Sequence, residues 1–493
     1  MPAMSGQLPT VAGGRGPYKV KLFNDAILGA VELSTPALSL LDTPHAQRLR
    51  DLKQLGASSL VFPSASHCRL EHSLGVAATG CAWVDALLSY PRRHGLRDDG
   101  EDALFDTPRE AADARCLVEL AGLAHDLGHG PFSHLFDSQV LRRGVYANYS
   151  SESLPALRHE WRSVMMLEDA VETCGLDVER EVVRAAAELI DVRRRVGGRG
   201  RDGAIPPWMM GLVANDEGAP DADRLDYLSR DSRYLNLPCG VDVRRLMATS
   251  KVCGGGKMVG WPVKEAFALM DVYHTRYKLH KLAYSHRVTV GIDALISDAL
   301  LSADAHLHFT ASIDDPSEFL GLDDTLLHRL QFATEPGLAP ARALINRLRR
   351  RRLYPLCGEL LCIPPTAAAP DEAPVHRCLT AADVAAHQVS GGGVDLRPDD
   401  IVVAPAVLSY AMGTVNPVER IPFLEGSTGG GGGDDGLLGP GGVARVSRLV
   451  GAGACQEEVV RVYARREGAD VAAAVRTAFQ RVVAAWGLGT VTG

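Results

Sequence analysis

Apolar side chains recur at helical spacing along most of the chain. Leu49, Leu52 and Leu55 follow Thr43-Pro44, an N-cap threonine and a proline at the first helical position, and predict a helix from Thr43 to Leu55. Recurrences every three and four residues predict further helices over Glu71–Leu88, Arg109–Asp126, Glu160–Cys174, Val178–Arg194, Lys264–His280 and Ser285–Asp304. Lys19 to Leu33 reads as a short strand and turn, Asp400 to Leu424 as strand-like, and Gln456 to Trp486 as two helices. Many amphipathic helices with few alternating strands predict a mainly α fold: a helical core with a smaller C-terminal α+β lobe.

Glycine and proline mark the breaks. Residues 1–17 are small, Gly-rich and aperiodic and read as a disordered tail. Val196–Pro207, Pro364–Pro374 and Ser390–Gly393 read as loop or linker. Glu425–Gly442, with consecutive glycines from Gly429, cannot bury enough side chain to offset its ordering entropy. The expected organisation is a core over 18–360, a linker-rich segment over 361–399, and a lobe over 400–487 with a disordered insert at 425–442.

Composition narrows the class. Among 493 residues, 46% are hydrophobic and 23% charged, which excludes wholesale disorder. No apolar run approaches the roughly 18 to 20 residues of a membrane span, and the N-terminus lacks a secretory layout, so we expect no membrane partner and an intracellular protein, nuclear or cytoplasmic. Ten cysteines without a C-x-x-C pair argue for reduced thiols rather than a zinc ribbon or disulfide scaffold. A net charge of −8 argues against a generic DNA-coating protein. Seven of the sixteen histidines fall between His67 and His159, and that concentration points to a site.

Its centre is Gly122–Phe136, GLAHDLGHGPFSHLF. Adjacent side chains on a helix diverge by about 100°, so His125 and Asp126 can meet one ion only where the helix loosens, and Gly128 and Gly130-Pro131 allow that. Histidine with carboxylate suits Fe, Mn or Zn or, with waters, Mg²⁺. His72 and Asp223 are candidates for the remaining ligands. Asp221, Asp223 and Asp226 do not share one helical face, so at most one or two of them reach the metal.

H…HD…D is the metal signature of the HD-domain phosphohydrolases, and longer words surround it: KLFNDAILG, DTPHAQRLRDLKQLG, HCRLEHSLGV, HDLGHGPFSHLFD, DRLDYLSRD and YHTRYKLHKLAYSHRV. The chain resembles the SAM-and-HD-domain deoxynucleoside triphosphate triphosphohydrolase family from about Tyr18 to about Trp486, with PVERIPF and VVRVYARR in the lobe; the short stretch before the first match implies that the SAM domain is absent. The resemblance implies hydrolysis of any of the four dNTPs to deoxynucleoside and triphosphate, with His72, His125, Asp126 and Asp223 as metal ligands. It places His129 and His159 near the phosphates and His134 with Asp137 as a catalytic pair. Three residues apart on a helix, that carboxylate could hold the imidazole protonated, with His134 as general acid for the leaving 5′-oxygen.

By the same resemblance Arg69, Arg224 and Arg276 contact the triphosphate, Arg224 standing where the family has lysine. Gln54, Tyr227 and Asp231 surround the 3′-hydroxyl, Leu55 and Tyr284 leave no room for a 2′-hydroxyl, and His280 joins the substrate-binding set. GTP and dNTP activators are implied between subunits of a homo-tetramer. Lys21, Asn24, Asp42, Gln47 and Arg50 match the guanine-nucleotide pocket, and Lys251, Lys264, Arg342 and Arg465 match further cationic contacts. Pro262 and Asn346 stand where the family has arginine and lysine, which weakens the second effector site. Cys253 matches a family cysteine linked to redox control, but Ala464 replaces another, so no redox switch is expected.

Two other readings stay open. One is a different HD phosphohydrolase, acting on a nucleoside monophosphate or cyclic nucleotide, which the cationic set at 69, 224 and 276 fits poorly. The other is a nucleotide-gated oligomer that binds single-stranded nucleic acid, supported by the six arginines between Arg342 and Arg352.

Overall fold

The computed structural model describes residues 19–93, 104–105, 107–144, 146–147, 149–150, 154–194, 205–362, 379–391, 393–425, 437–438 and 455–488. The expected tail 1–17 and linker 364–374, and most of the spans 196–207 and 425–442, lie outside them. The fold is mainly helical. Numbering only the longer helices and the helix of the lobe, the core holds α1 (Arg69–Arg93), α2 (Pro108–Ala124), α3 (His159–Thr173), α4 (Arg180–Ile190), α5 (Ala222–Leu235), α6 (Ala266–Leu279), α7 (Arg287–Leu307) and α8 (Ala339–Arg349). Among the described residues no helix is long and apolar enough to cross a membrane.

Local chemistry sets the ends of these helices. The Thr107 hydroxyl accepts the Glu110 amide at 3.2 Å while the Glu110 carboxylate accepts the Thr107 amide at 3.0 Å, a reciprocal cap that starts α2 with Pro108 in its first turn. α1 packs along α2 and crosses α5 at Gly75, where a Cβ would overlap the Asp226 carboxylate and the Arg230 guanidinium. That close approach brings His72 of α1 against Asp223 and Asp226 of α5.

The helix expected over Thr43–Leu55 stops early. Pro44–Gln47 is α-helical, Arg48–Asp51 is a 3-10 turn, and Leu52 is extended with φ −110° and ψ 113°. Backbone bonds explain the break: the Gln54 amide donates to the His67 carbonyl at 3.0 Å and the Arg69 amide to the Leu52 carbonyl at 2.9 Å. Pairing with the start of α1 outcompetes the last helical turn and carries Gln54 and Leu55 to the pocket.

The N-terminal strand and turn is a hairpin, β1 (Val20–Asp25) with β2 (Gly29–Ser34), closed at Asp25↔Gly29. β3 (Lys251–Cys253), β4 (Met258–Pro262), β7 (Phe423–Leu424) and β8 (Leu437–Leu438) form one small sheet. β8 falls inside the span expected to lack structure, because Leu437 and Leu438 are apolar and find Leu424 and Phe423 as partners.

The lobe has a three-stranded antiparallel sheet in the order β5 (Leu356–Cys362), β9 (Gln456–Ala464), β6 (Ile401–Ser409). α9 (Ala381–Ala386) and α10 (Ala469–Ala485) complete it. Gln456–Trp486 therefore carries one strand and one helix, not two helices. β9 is the central strand, with Val460 and Val462 in the lobe's own core and Tyr463 in the main core. Burial on both faces removes the alternation that marks a strand: Val459, Val460, Val462, Tyr463 and Ala464 are all buried, with Arg461 among them. β5 straddles the boundary expected at residue 360, and α9 lies within the span expected to be linker.

Candidate active site

α2 ends at Ala124, and His125 turns in to face α1 and α5. Its Nδ1 lies 2.7 Å from the Gly122 carbonyl, an acceptor only, so Nδ1 carries the proton and Nε2 offers a lone pair. That Nε2 is buried with no hydrogen-bond partner, 3.4 Å from Asp126 Oδ1 and 3.7 Å from Asp223 Oδ1. A lone pair facing two carboxylate oxygens is repulsive unless a cation stands among them, so these residues fit a metal ion.

His72 is the second imidazole. Its Nε2 lies 3.0 Å from Asp223 Oδ1 and 3.6 Å from Asp126 Oδ2, and its Nδ1 is 2.8 Å from Asp226 Oδ2. Burial opposes its charge, but the carboxylates of Asp223 and Asp226 push its pKa up to about 10. A site that holds a proton this tightly is built for positive charge, and a divalent ion is a stronger occupant than a proton. The donor atoms of His72, His125 and Asp223 lie within 4.8 Å of one another. Asp126 also bonds the Arg69 guanidinium, and despite burial that cation and His125 hold its carboxyl well below the usual range.

A second cluster adjoins the first. His129, His134, Asp137 and His159 converge, with the His129 and His159 rings stacked at 4.1 Å and the His134 ring 5.0 Å from His129. His129 Nε2 reaches Asp126 Oδ1 at 3.3 Å, so Asp126 links the two clusters. The expected His134–Asp137 hydrogen bond is not made. Phe132 and Ser133 take left-handed backbone at φ 59° and 58°, and Phe136–Leu141 is a π-helix, so the three-residue spacing does not give the α-helical geometry. Asp137 bonds the Arg162 guanidinium and lies 3.4 Å from His159 Nδ1. Burial, with His159 and Arg69 nearby, brings the His134 imidazole down to about 4. His159 is raised instead: burial opposes its charge, but Glu160 and Asp137 outweigh it.

A cavity of about 410 Å³ opens onto these clusters. Gln54, Leu55, Arg69, Tyr227, Asp231, Arg276, His280 and Tyr284 all line it, together with His72, Asp126, His129, His134, His159 and Asp223. Gln54 Oε1 is buried there without a partner. Asp231 receives the Tyr284 hydroxyl at 2.5 Å and lies 2.7 Å from His67 Nε2, which leaves its orientation fixed. Arg276 donates to the Ser409 carbonyl of the lobe at 2.7 Å. Arg224 departs from expectation and is not on the cavity wall. Its guanidinium donates to the Ala219 carbonyl at 2.9 Å and lies 3.7 Å from Asp221 Oδ2, because Asp221, the N-cap of α5, offers a nearer anion.

A larger cleft, about 670 Å³, lies between α3 and α4 and includes none of the clustered histidines. Its lining has no histidine, and its arginines stand among Glu168, Glu172, Glu188 and Asp191, so it lacks the mixed imidazole and carboxylate donors of the smaller cavity.

Sequence reading missed several residues that hold the site. Asp226 backs His72 and is itself gripped by Arg230; the i,i+4 spacing of the two was a usable signal. Asp324 accepts the Phe132 amide at 2.6 Å and the Lys53 amide at 2.8 Å, and so ties together two adjoining segments beside the cavity. Nothing local in the sequence marks it.

The residues matched to effector sites are dispersed. Gln47 accepts from Arg50 at 2.7 Å and donates to the Leu41 carbonyl at 2.7 Å, beside Asp42, while Lys21 and Asn24 sit on β1. Lys251 is on β3 and Lys264 in the 3-10 turn before α6. Arg342 bonds the Ala333 carbonyl, and Arg465 Nε lies 2.8 Å from Asp298. In the arginine run, Arg347 lies 2.8 Å from Glu467, Arg349 donates to Gln331 and Arg351 to the Leu60 carbonyl, so much of its donor capacity is used within the chain. Among the described cysteines none forms a disulfide, and Cys253 is buried.

Inward histidines and aspartates on helices α1 and α5 and in the turn that ends α2, beside a cavity with arginine at its wall, define an HD-type phosphohydrolase, and residues 69–230 match the HD domain family. The chain is 35% identical over 405 residues to the Dictyostelium discoideum protein named deoxynucleoside triphosphate triphosphohydrolase SAMHD1 homolog, a match covering 82% of this chain and 70% of that one. It is 30% identical over 490 residues to the Gallus gallus deoxynucleoside triphosphate triphosphohydrolase SAMHD1, covering 93% and 74%, and 30% identical over 433 residues to the Homo sapiens protein of that name, covering 82% and 65%. The chain belongs to this SAMHD1 family of HD-domain hydrolases.

Proposed function

We propose that this protein hydrolyses dNTPs to deoxynucleoside and inorganic triphosphate, and so controls dNTP pools. The observation that carries the reading is the one cavity lined by His72, Asp126 and Asp223, by His129, His134 and His159, and by the arginines Arg69 and Arg276, with His125 directly behind. His72, His125, Asp126 and Asp223 would hold a divalent transition metal, Fe, Mn or Zn, with Mg²⁺ as a further cation. That ion supplies Lewis acidity toward water and the phosphoryl oxygens.

The protein's own groups supply the rest. Arg69 and Arg276 offer forked donors to a polyanionic triphosphate. His159, whose pKa is raised by Glu160 and Asp137 against burial, stacks on His129 beside them. His134 is the acid for the departing 5′-oxygen, yet with its pKa near 4 it is neutral at pH 7 before substrate arrives. The negative charge of the triphosphate offsets Arg69 and His159 and loads the proton onto His134, so the acid is armed by the substrate it cleaves. Asp231, held by Tyr284 and His67, and the unpaired Gln54 Oε1 are suited to hydroxyl recognition on the sugar.

The regulatory part is that GTP and a dNTP bind between subunits and drive a homo-tetramer, in a nuclear or cytoplasmic setting. Its support is the sequence match at Lys21, Asn24, Asp42, Gln47 and Arg50, and the ready Gln47–Arg50 pair. Incubation of the purified chain with each dNTP, GTP and Mn²⁺ or Fe²⁺ should release triphosphate, and His125→Ala or Asp126→Ala should abolish the release. Folded protein that yields none with any metal or effector sinks the hydrolase reading. Hydrolysis that proceeds at protomer mass without GTP sinks only the regulatory part.

A further inference from the structure

Asp293 lies on α7 and lines the cavity, yet no sequence motif pointed to it and no step above uses it. Among the described residues its carboxylate makes no hydrogen bond or ion pair. The residue is half-buried and opens onto the cavity, so its carboxylate, without a protein partner, is available to a ligand there. Its surroundings fix which end of the cavity it serves. α7 packs against the 3-10 turn Gly56–Leu60 that follows Gln54 and Leu55, and Gly291, on the same turn of α7, abuts the Tyr463 ring. These neighbours place Asp293 on the side of the cavity formed by Gln54–Ser58, and burial pushes its carboxyl up to about 7.

If the triphosphate occupies the cationic end, as the proposed function requires, the nucleoside extends toward Gln54–Ser58 and Asp293. We propose that Asp293 reads the nucleobase, its carboxylate accepting from the amino edge of adenine, cytosine or guanine and disfavouring thymine. Adenine N6, cytosine N4 and guanine N1 and N2 present N–H donors to an acceptor-only group, whereas thymine flanks its one N–H with two carbonyl oxygens. All four dNTPs remain substrates, but they are ranked by this contact.

The inference rests on the dNTP reading, and the test separates the two. The full chain, with GTP and Mn²⁺ at pH 8.5 where the carboxylate predominates, is given equimolar dATP, dCTP, dGTP and dTTP, and consumption of each is followed by chromatography. Wild type should consume dCTP about tenfold faster than dTTP, and Asp293→Asn, whose amide both donates and accepts, should bring that ratio to within about twofold. An active variant with the wild-type ratio, or one that loses equally on all four, overturns the inference alone. No triphosphate from wild type overturns the hydrolase reading and this inference with it. Thermal melting without nucleotide is the second measurement. Asp293→Asn should melt at or above wild type because no protein partner is lost, and a lower melting temperature means that the carboxyl is structural.

Discussion

The His72 Nδ1 lies 2.8 Å from Asp226 Oδ2, and Arg230 grips both oxygens of that carboxylate at 2.9 Å each. Asp226 thereby fixes which His72 nitrogen faces the metal-type cluster, without belonging to the cluster. Asp226→Asn should lower retained metal about ten- to hundredfold, read by elemental analysis after dialysis. Undiminished metal in that variant would mean that the imidazole needs no such partner.

Gly128 stands where helix α3 meets the HD turn, and a Cβ there would overlap the His159 carbonyl and the Ser163 amide. Backbone cannot step aside as a flexible side chain can. Gly128→Ala should cost about 2 kcal/mol or more in chemical denaturation and should displace His159. A wild-type midpoint would show that the two segments are looser than the structure has them.

Asp324 satisfies two amides that belong to adjoining segments beside the cavity, Lys53 and Phe132. Asp324→Ala leaves both without this acceptor, at about 1 to 3 kcal/mol each if water does not replace it. The left-handed Phe132–Ser133 turn should then relax and carry His134 with it. Triphosphate release measured well below the melting temperature should fall at least tenfold, and an intact rate in a destabilised variant would confine Asp324 to stability.

Asp293 gives a pH signature. Its folded pKa, about 7, is above the usual carboxyl value of 3.8, so the folded state holds its proton more tightly than the unfolded state does. The resulting stability is fully present below the unfolded value and is lost as pH rises through about 7. Stability of wild type relative to Asp293→Asn should therefore decline between pH 4 and 7, with a slope of at most about 1.4 kcal/mol per pH unit. A flat difference across that range would show a carboxyl that is not buried in solution.

The sequence carries the helices and the metal-type cluster plainly, because both are short-range signals. His125-Asp126 sits at a helix end among glycines, and the apolar stripes of α1 and α2 follow helical spacing. Long-range placement is harder to read. Asp324 acts on Phe132 across 192 positions of chain, and no local pattern encodes such a contact. β9 lost its strand signature because both of its faces are covered. The spacing of His134 and Asp137 predicts three steps along an α-helix, but the segment from Phe136 winds as a π-helix, and Asp137 turns to Arg162. A motif places Arg224 at the triphosphate, while Asp221, three residues earlier, draws its guanidinium aside.

Tyr463 of β9 donates to the Arg287 carbonyl at 2.7 Å, and Arg461 of the same strand to the Ser285 carbonyl at 2.6 Å. Both bonds brace the bend between Tyr284 and α7. During synthesis, every histidine of the two clusters has left the ribosome long before this strand is made. The growing chain thus holds all of its chemistry early and the brace for the far wall of its pocket late. A premature stop ahead of Gln456 would spare every histidine of the two clusters and still leave the bend between Tyr284 and α7 without its brace.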